Sequence, residues 1–164
     1  MAYITIFGSS GLVYVDESGV NREYRRSKYR SKRGVRLHWE KPGKRVKKVN
    51  VIAGLRNREH VAVRCYEHAT NSSFFEDWFE WELLAAIPEF SLVVLDNASF
   101  HREKQLRAIA AKYNVGVLFL PSYSPDLNLI EKSWANLKHW LIDNACRFYS
   151  LDFAIEYYFS DFAC

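Results

Sequence analysis

Three carboxylates in this chain stand out by position: Asp16, Asp96 and Glu131. Asp16 follows the short apolar run Val13-Tyr14-Val15, with Glu17-Ser18-Gly19 reading as a turn after it. Asp96 follows Leu92-Val93-Val94-Leu95, a continuous apolar run of the kind found in strands covered on both faces. In open α/β sheets, sites gather beyond the carboxyl ends of strands. If the two runs are parallel neighbours, both aspartates leave the same sheet edge. Glu131 lies on a helix expected from Pro125 to about Asp143, capped by Ser124. Its apolar stripe would be Leu127, Ile130, Trp134, Leu137 and Leu141. At about 100° from Ile130, Glu131 falls on the border of that stripe, where it can look into a cleft at the sheet edge.

Three converging carboxylates suit hard divalent cations such as Mg²⁺, which takes few protein ligands and keeps positions for water and phosphate oxygens. Two such ions about 3.5–4 Å apart serve in-line phosphoryl transfer. Each residue also has a plainer reading. Asp16 could be a turn former, Asp96 the cap of the next helix, and Glu131 a solvated side chain. Asp126 competes with Glu131, but at the second position of its helix it suits the helix dipole. None of His38, His60, His68, His101 and His139 has zinc-ligand spacing, and His101 stays open between packing and function because it follows Asp96 closely.

A partner for such a site is suggested by charge. The formal net charge is +4, yet the stretch from Arg22 to Lys48 alone carries +11 and the remainder −7. Its candidate polyanion contacts, DNA or RNA on charge alone, are Arg22, Arg25, Arg26, Lys28, Arg30, Lys32, Arg33, Lys44, Arg45, Lys47 and Lys48, with Lys138 further on. Tyr24, Tyr29 and Trp39 are interleaved, and aromatic rings can stack on bases. The segment reads as a basic loop or ribbon that grips a polyanion backbone, while metal ions offset repulsion between phosphates and the acidic trio.

The elements that must position these residues follow from patterning. Val46 to Leu55 and Val61 to Tyr66 read as strands joined by the polar turn Arg56 to Glu59. Asn71 or Ser72 can cap a helix running to about Ala86, which Pro88 stops. A second helix is expected from about Ser99 to Tyr113, a strand from Val115 to Leu120, and a short aromatic helix from Leu151 to Cys164. The order is three strands, then alternating helices and strands: an α/β chain with a mixed central sheet and helices on both faces. At 164 residues, with 49% apolar and 16% aromatic residues, residues 1–164 make one domain. Cys65, Cys146 and Cys164 are too few and scattered for a disulfide framework or zinc site. With no signal-peptide pattern and no membrane-length apolar run, the expected location is the cytoplasm.

Taken together, VYVDESGV (residues 13–20), LVVLDNASFH (92–101) and LPSYSPDLNLIEKSWANLK (120–138) resemble the catalytic domain of mariner-like insertion-sequence transposases, DDE superfamily endonucleases. The resemblance covers about residues 12 to 143, and the 34 residues between Asp96 and Glu131 match one branch of that family. It implies a ribonuclease H-like fold, dependence on Mg²⁺ (with Mn²⁺ as substitute), and cut-and-paste transposition. The catalytic and metal-binding trio would be Asp16, Asp96 and Glu131. Implied partners are the element's terminal inverted repeats, target DNA and further copies of the chain. Family members carry N-terminal helix-turn-helix modules, whereas this sequence opens almost at the first catalytic strand. Recognition is therefore expected from a separate or fused upstream frame, or the copy is truncated. The rival readings are a ribonuclease H-like nuclease without strand transfer, and an inactive DNA-binding or oligomerising remnant.

Overall fold

A computed structural model of the chain describes residues 11–21, 48–121 and 124–161. Its centre is β1 (Leu12–Asn21), flanked by β2 (Lys48–Arg56) and β3 (Glu59–Tyr66) on one side and by β4 (Leu92–Leu95) and β5 (Gly116–Phe119) on the other. The sheet order is β3-β2-β1-β4-β5. β1 and β2 pair antiparallel, as do β2 and β3, whereas β4 lies parallel to both β1 and β5. The β2–β3 turn is made by Asn57 and Arg58, both at positive φ, which matches the right-handed strand twist.

Glu17-Ser18-Gly19 is not a turn. β1 runs on through it, pairing Glu17 with Ile52, Ser18 with Val51 and Gly19 with Asn50. The full ladder with β2 outweighs the local turn preference of these residues, and Ser18 is buried within it. Asp16 therefore sits within β1 and not at its end, although the parallel pairing with β4 stops at Tyr14.

Alternation along β1 sends Val13 and Val15 to one face, and Leu12, Tyr14 and Val20 to the other. The first face packs under α1 (Ser72–Trp78), a π-helical turn (Phe79–Leu83), α2 (Leu84–Ala86) and α3 (Glu103–Ala111). Asn71 caps α1, its side chain accepting from the Phe74 N–H at 2.9 Å. The widened π turn brings Leu83 and Leu84 onto the side already buried by Phe75, Trp78 and Phe79. The second face carries α4 (Glu131–Asn144) and α5 (Leu151–Asp161) over Val49, Val51, Ala53 and Leu55. Helices thus cover both faces of a mixed sheet, as the element order implied.

α4 starts later than the cap pattern suggests. Residues Pro125–Leu127 form a separate 3-10 turn, and the helix begins at Glu131. Ile130, Trp134, Leu137 and Leu141 are buried, but Leu127 lies outside the helix and is 53% exposed. Likewise α3 begins at Glu103, not Ser99. Among the described residues no helix is long and apolar enough to cross a membrane.

Candidate active site

Strand register brings the two aspartates to matching positions. Tyr14 pairs with Val94 in the parallel β1–β4 ladder, and Asp16 and Asp96 each lie two residues further along. Asp16 is half-buried and is held from α4: Trp134 Nε1 donates to Asp16 Oδ2 at 2.9 Å. Glu131, the first residue of α4, lies one helical turn before Trp134 and is exposed. Burial first, then the neighbouring charges of Glu17 and Glu131, push the Asp16 carboxyl from 3.8 up to about 7, against the bonds from the Glu17 N–H and Trp134. Glu131 is thus within electrostatic reach of Asp16. Asp126 is exposed in the 3-10 turn.

The start of α4 is tied to β1 by Asn128, which is buried and donates from Nδ2 to the Val15 carbonyl at 3.1 Å. Its own carbonyl accepts the Glu131 N–H at 3.2 Å. One residue therefore links the strand segment before Asp16 to the turn that presents Glu131.

Asp96 is half-exposed and accepts the Ala98 N–H on Oδ1 at 3.2 Å. His101 Nδ1 lies 3.1 Å from both the Asp96 backbone carbonyl and the same Oδ1, and His101 Nε2 lies 3.4 Å from Glu17 Oε1. The His101 bond first of all holds the Asp96 carboxyl below its usual range, against the effect of burial. For His101 burial works to lower the pKa, but the bonds to Asp96 and Glu17 prevail and carry it to about 9. The imidazole is therefore a cation between two carboxylates at neutral pH.

The carboxylates are hard oxygen donors of the kind divalent cations take, and the surroundings of Asp16, without a cation, disfavour its ionised form. The side chains are not gathered at coordinating distance. Among the described residues no group of three His, Cys, Asp or Glu side chains is close enough to hold a metal ion.

Of the candidate DNA contacts, Arg22, Arg25, Arg26, Lys28, Arg30, Lys32, Arg33, Lys44, Arg45 and Lys47 lie outside the described residues. The segment that contains them leaves and rejoins the sheet at one place, because Asn21 pairs with Lys48. Lys48 is exposed at the start of β2, with its side chain lying across Gly19, where a Cβ would meet Lys48 Cε at 2.3 Å. Lys138 is half-buried on α4.

The sequence family described as DDE superfamily endonuclease matches residues 11–151. The chain belongs to that family. Among solved structures, this DDE endonuclease chain is similar to the Mos1 transposase in its paired-end complex with the left transposon end, with TM-score 0.78 and 20% identity over 98% of this chain. It is also similar to the isolated catalytic domain of Mos1 mariner transposase, with TM-score 0.67 and 17% identity, covering 98% of this chain and 74% of that one. The catalytic core domain of BIV integrase follows at TM-score 0.55 and 12% identity, covering 90% of this chain and 79% of the other. These likenesses establish a ribonuclease H-like fold. The chain spans about half (51%) of the Mos1 chain in the paired-end complex. Further Mos1 structures are described with Mg and with Mn. No protein with a curated function matches by sequence.

Sequence reasoning passed over Glu17, Asn128 and Trp134 as site residues. Glu17 was hidden by its turn-forming neighbours and Trp134 by its place in the apolar stripe. A usable signal existed for Trp134: a buried indole N–H needs an acceptor, and Trp134 lies three residues from Glu131.

Proposed function

We propose that this chain is the catalytic domain of a mariner-like DNA transposase. It would cut DNA at the element's terminal repeats and join the freed ends to target DNA in the same site. Asp16, Asp96 and Glu131 would hold Mg²⁺, or Mn²⁺ in its place. The observation that carries this reading is the matched position of Asp16 and Asp96 beyond the β1–β4 ladder, with Asp16 bonded to Trp134 one helical turn after Glu131 on α4. When bound, divalent ions supply activation of the attacking oxygen and stabilisation of the leaving oxygen.

The chain's own residues supply position and charge. Trp134 fixes one oxygen of Asp16, Ala98 and His101 fix one oxygen of Asp96, and Asn128 fixes the start of the helix that carries Glu131. The basic segment 22–48, inserted in a single domain spanning residues 1–164, would neutralise DNA phosphates without reading sequence. Recognition of the terminal repeats would come from a helix-turn-helix module, separate or fused upstream, and copies of the chain would assemble on paired ends in the cytoplasm.

The test supplies that module in trans, with DNA carrying the repeats that flank this reading frame and a supercoiled target. Joined products that form with Mg²⁺ and vanish in EDTA support a transposase. Cleavage without joining would mean a nuclease, and binding without cleavage an inactive remnant.

A further inference from the structure

Asp96 is anchored through one oxygen. Oδ1 accepts the Ala98 N–H at 3.2 Å and lies 3.1 Å from His101 Nδ1, which is shared with the Asp96 backbone carbonyl at the same distance, while Oδ2 has no bond to any described residue. The opposite nitrogen of the same ring, Nε2, lies 3.4 Å from Glu17 Oε1. Glu17 adjoins Asp16 on β1. The imidazole therefore spans from the loop after β4 to β1, linking the two strands on which the aspartates ride. Its side chain is fully buried, with the Phe75 ring at 4.2 Å and the Phe100 ring at 4.5 Å between centroids. A ring clamped in this way gives its hydrogen bonds a fixed direction.

We propose that His101 is a positioning residue for Asp96. It turns Oδ1 inward, so that Oδ2 alone is presented to the divalent cation. The proposal rests on the reading of Asp96 as a metal-binding residue. A bond to a carboxylate from outside the metal's own ligands sets that carboxylate's orientation, and removal of such a partner typically weakens metal binding about 10–100-fold.

The side-chain amides of asparagine and glutamine separate the two ends of the ring. In His101→Asn the amide nitrogen falls near the position of Nδ1 and can still reach Asp96. In His101→Gln it falls near Nε2 and can reach only Glu17. His101→Phe keeps the aromatic packing against Phe75 and Phe100 and removes both ring nitrogens. Mn²⁺ binding to the full 164-residue chain, followed by the loss of the free-ion electron paramagnetic resonance signal, reads the effect without any reaction. Thermal melting run beside it checks that each variant is folded.

The expected result is Mn²⁺ affinity about 10–100-fold weaker in His101→Gln and His101→Phe, and within about threefold of wild type in His101→Asn. Wild-type affinity in His101→Phe would overturn the proposal, because packing alone would then suffice. So would a loss in His101→Asn as large as that in His101→Phe. Should His101→Gln fail to fold, the comparison of Phe with Asn decides. Unchanged Mn²⁺ binding in Asp96→Asn is a separate failure: it would remove the metal-site reading itself and the role of His101 with it.

Discussion

Replacing Asp16 by Asn should stabilise the metal-free protein, and only above mildly acidic pH. The Asp16 carboxyl stands at about 7 in the folded chain against an ordinary 3.8, chiefly because it is buried and secondly because Glu17 and Glu131 are near. At 1.36 kcal/mol per pH unit, that difference amounts to about 4 kcal/mol. The folded state holds the proton more tightly than the unfolded state, so stability falls as pH rises from about 4 to about 7 and stays reduced above that. Asn never ionises, and its Oδ1 can still accept from Trp134. Local relaxation and water penetration reduce the gain to roughly 2 kcal/mol, or about 4–8 °C in Tm for a domain of this size. Urea denaturation in EDTA at pH 4.5, 6 and 8 reads it directly. About a quarter of the difference should be present at pH 4.5, with the rest developing progressively to pH 8. Added Mg²⁺ should raise the stability of the wild type and leave Asp16→Asn unmoved. Equal or lower stability of Asp16→Asn at pH 8, or a gain independent of pH, would refute the reasoning.

Trp134→Phe keeps most of the apolar contact on α4 but removes the donor to Asp16 Oδ2. It should raise the Mg²⁺ concentration needed for half-maximal cleavage about tenfold, measured by titrating the metal at saturating DNA. Neutralising Arg25, Arg26, Lys28 and Arg30 together should weaken DNA binding regardless of sequence. It should also flatten the plot of log affinity against log salt by up to about 3.6, at about 0.9 per lost phosphate contact. An unchanged salt slope in fluorescence anisotropy would show that the basic segment does not touch DNA.

Elements whose local pattern and tertiary surroundings agree were legible in the sequence. Leu92 to Leu95 are buried on both faces of the sheet, Asn71 caps its helix, and Ile130, Trp134, Leu137 and Leu141 form the buried side of α4. Elements decided by a distant partner were not. Glu17-Ser18-Gly19 has turn composition, and only the pairing with Val51 and Ile52 in β2 makes it strand. Ser124-Pro125 looks like a helix start, yet the tie from Asn128 to Val15, more than a hundred residues away, accompanies a short 3-10 turn and a later helix. Asp96 beyond β4 and Glu131 beside the buried stripe of α4 could be placed from a strand end and helix phase, because those are local, whereas Asp16 proves to lie inside β1. The supports of the trio, Trp134 on Asp16 and His101 between Asp96 and Glu17, depend on how α4 and the loop after β4 meet β1. Nothing in their spacing reports that meeting.

The most direct test of the central claim is strand cleavage on a pre-nicked element end, with the recognition module supplied and single carboxylates changed one at a time. Asp16→Asn, Asp96→Asn and Glu131→Gln should each abolish cleavage in Mg²⁺, and wild type should be inactive in EDTA and in Ca²⁺, whose longer bonds and looser coordination do not suit the reaction. Asp126→Asn, the neighbouring acid in the 3-10 turn, should cleave at nearly the wild-type rate. Near-normal cleavage by Asp96→Asn, or loss with Asp126→Asn and not with Glu131→Gln, would contradict the assignment of the site.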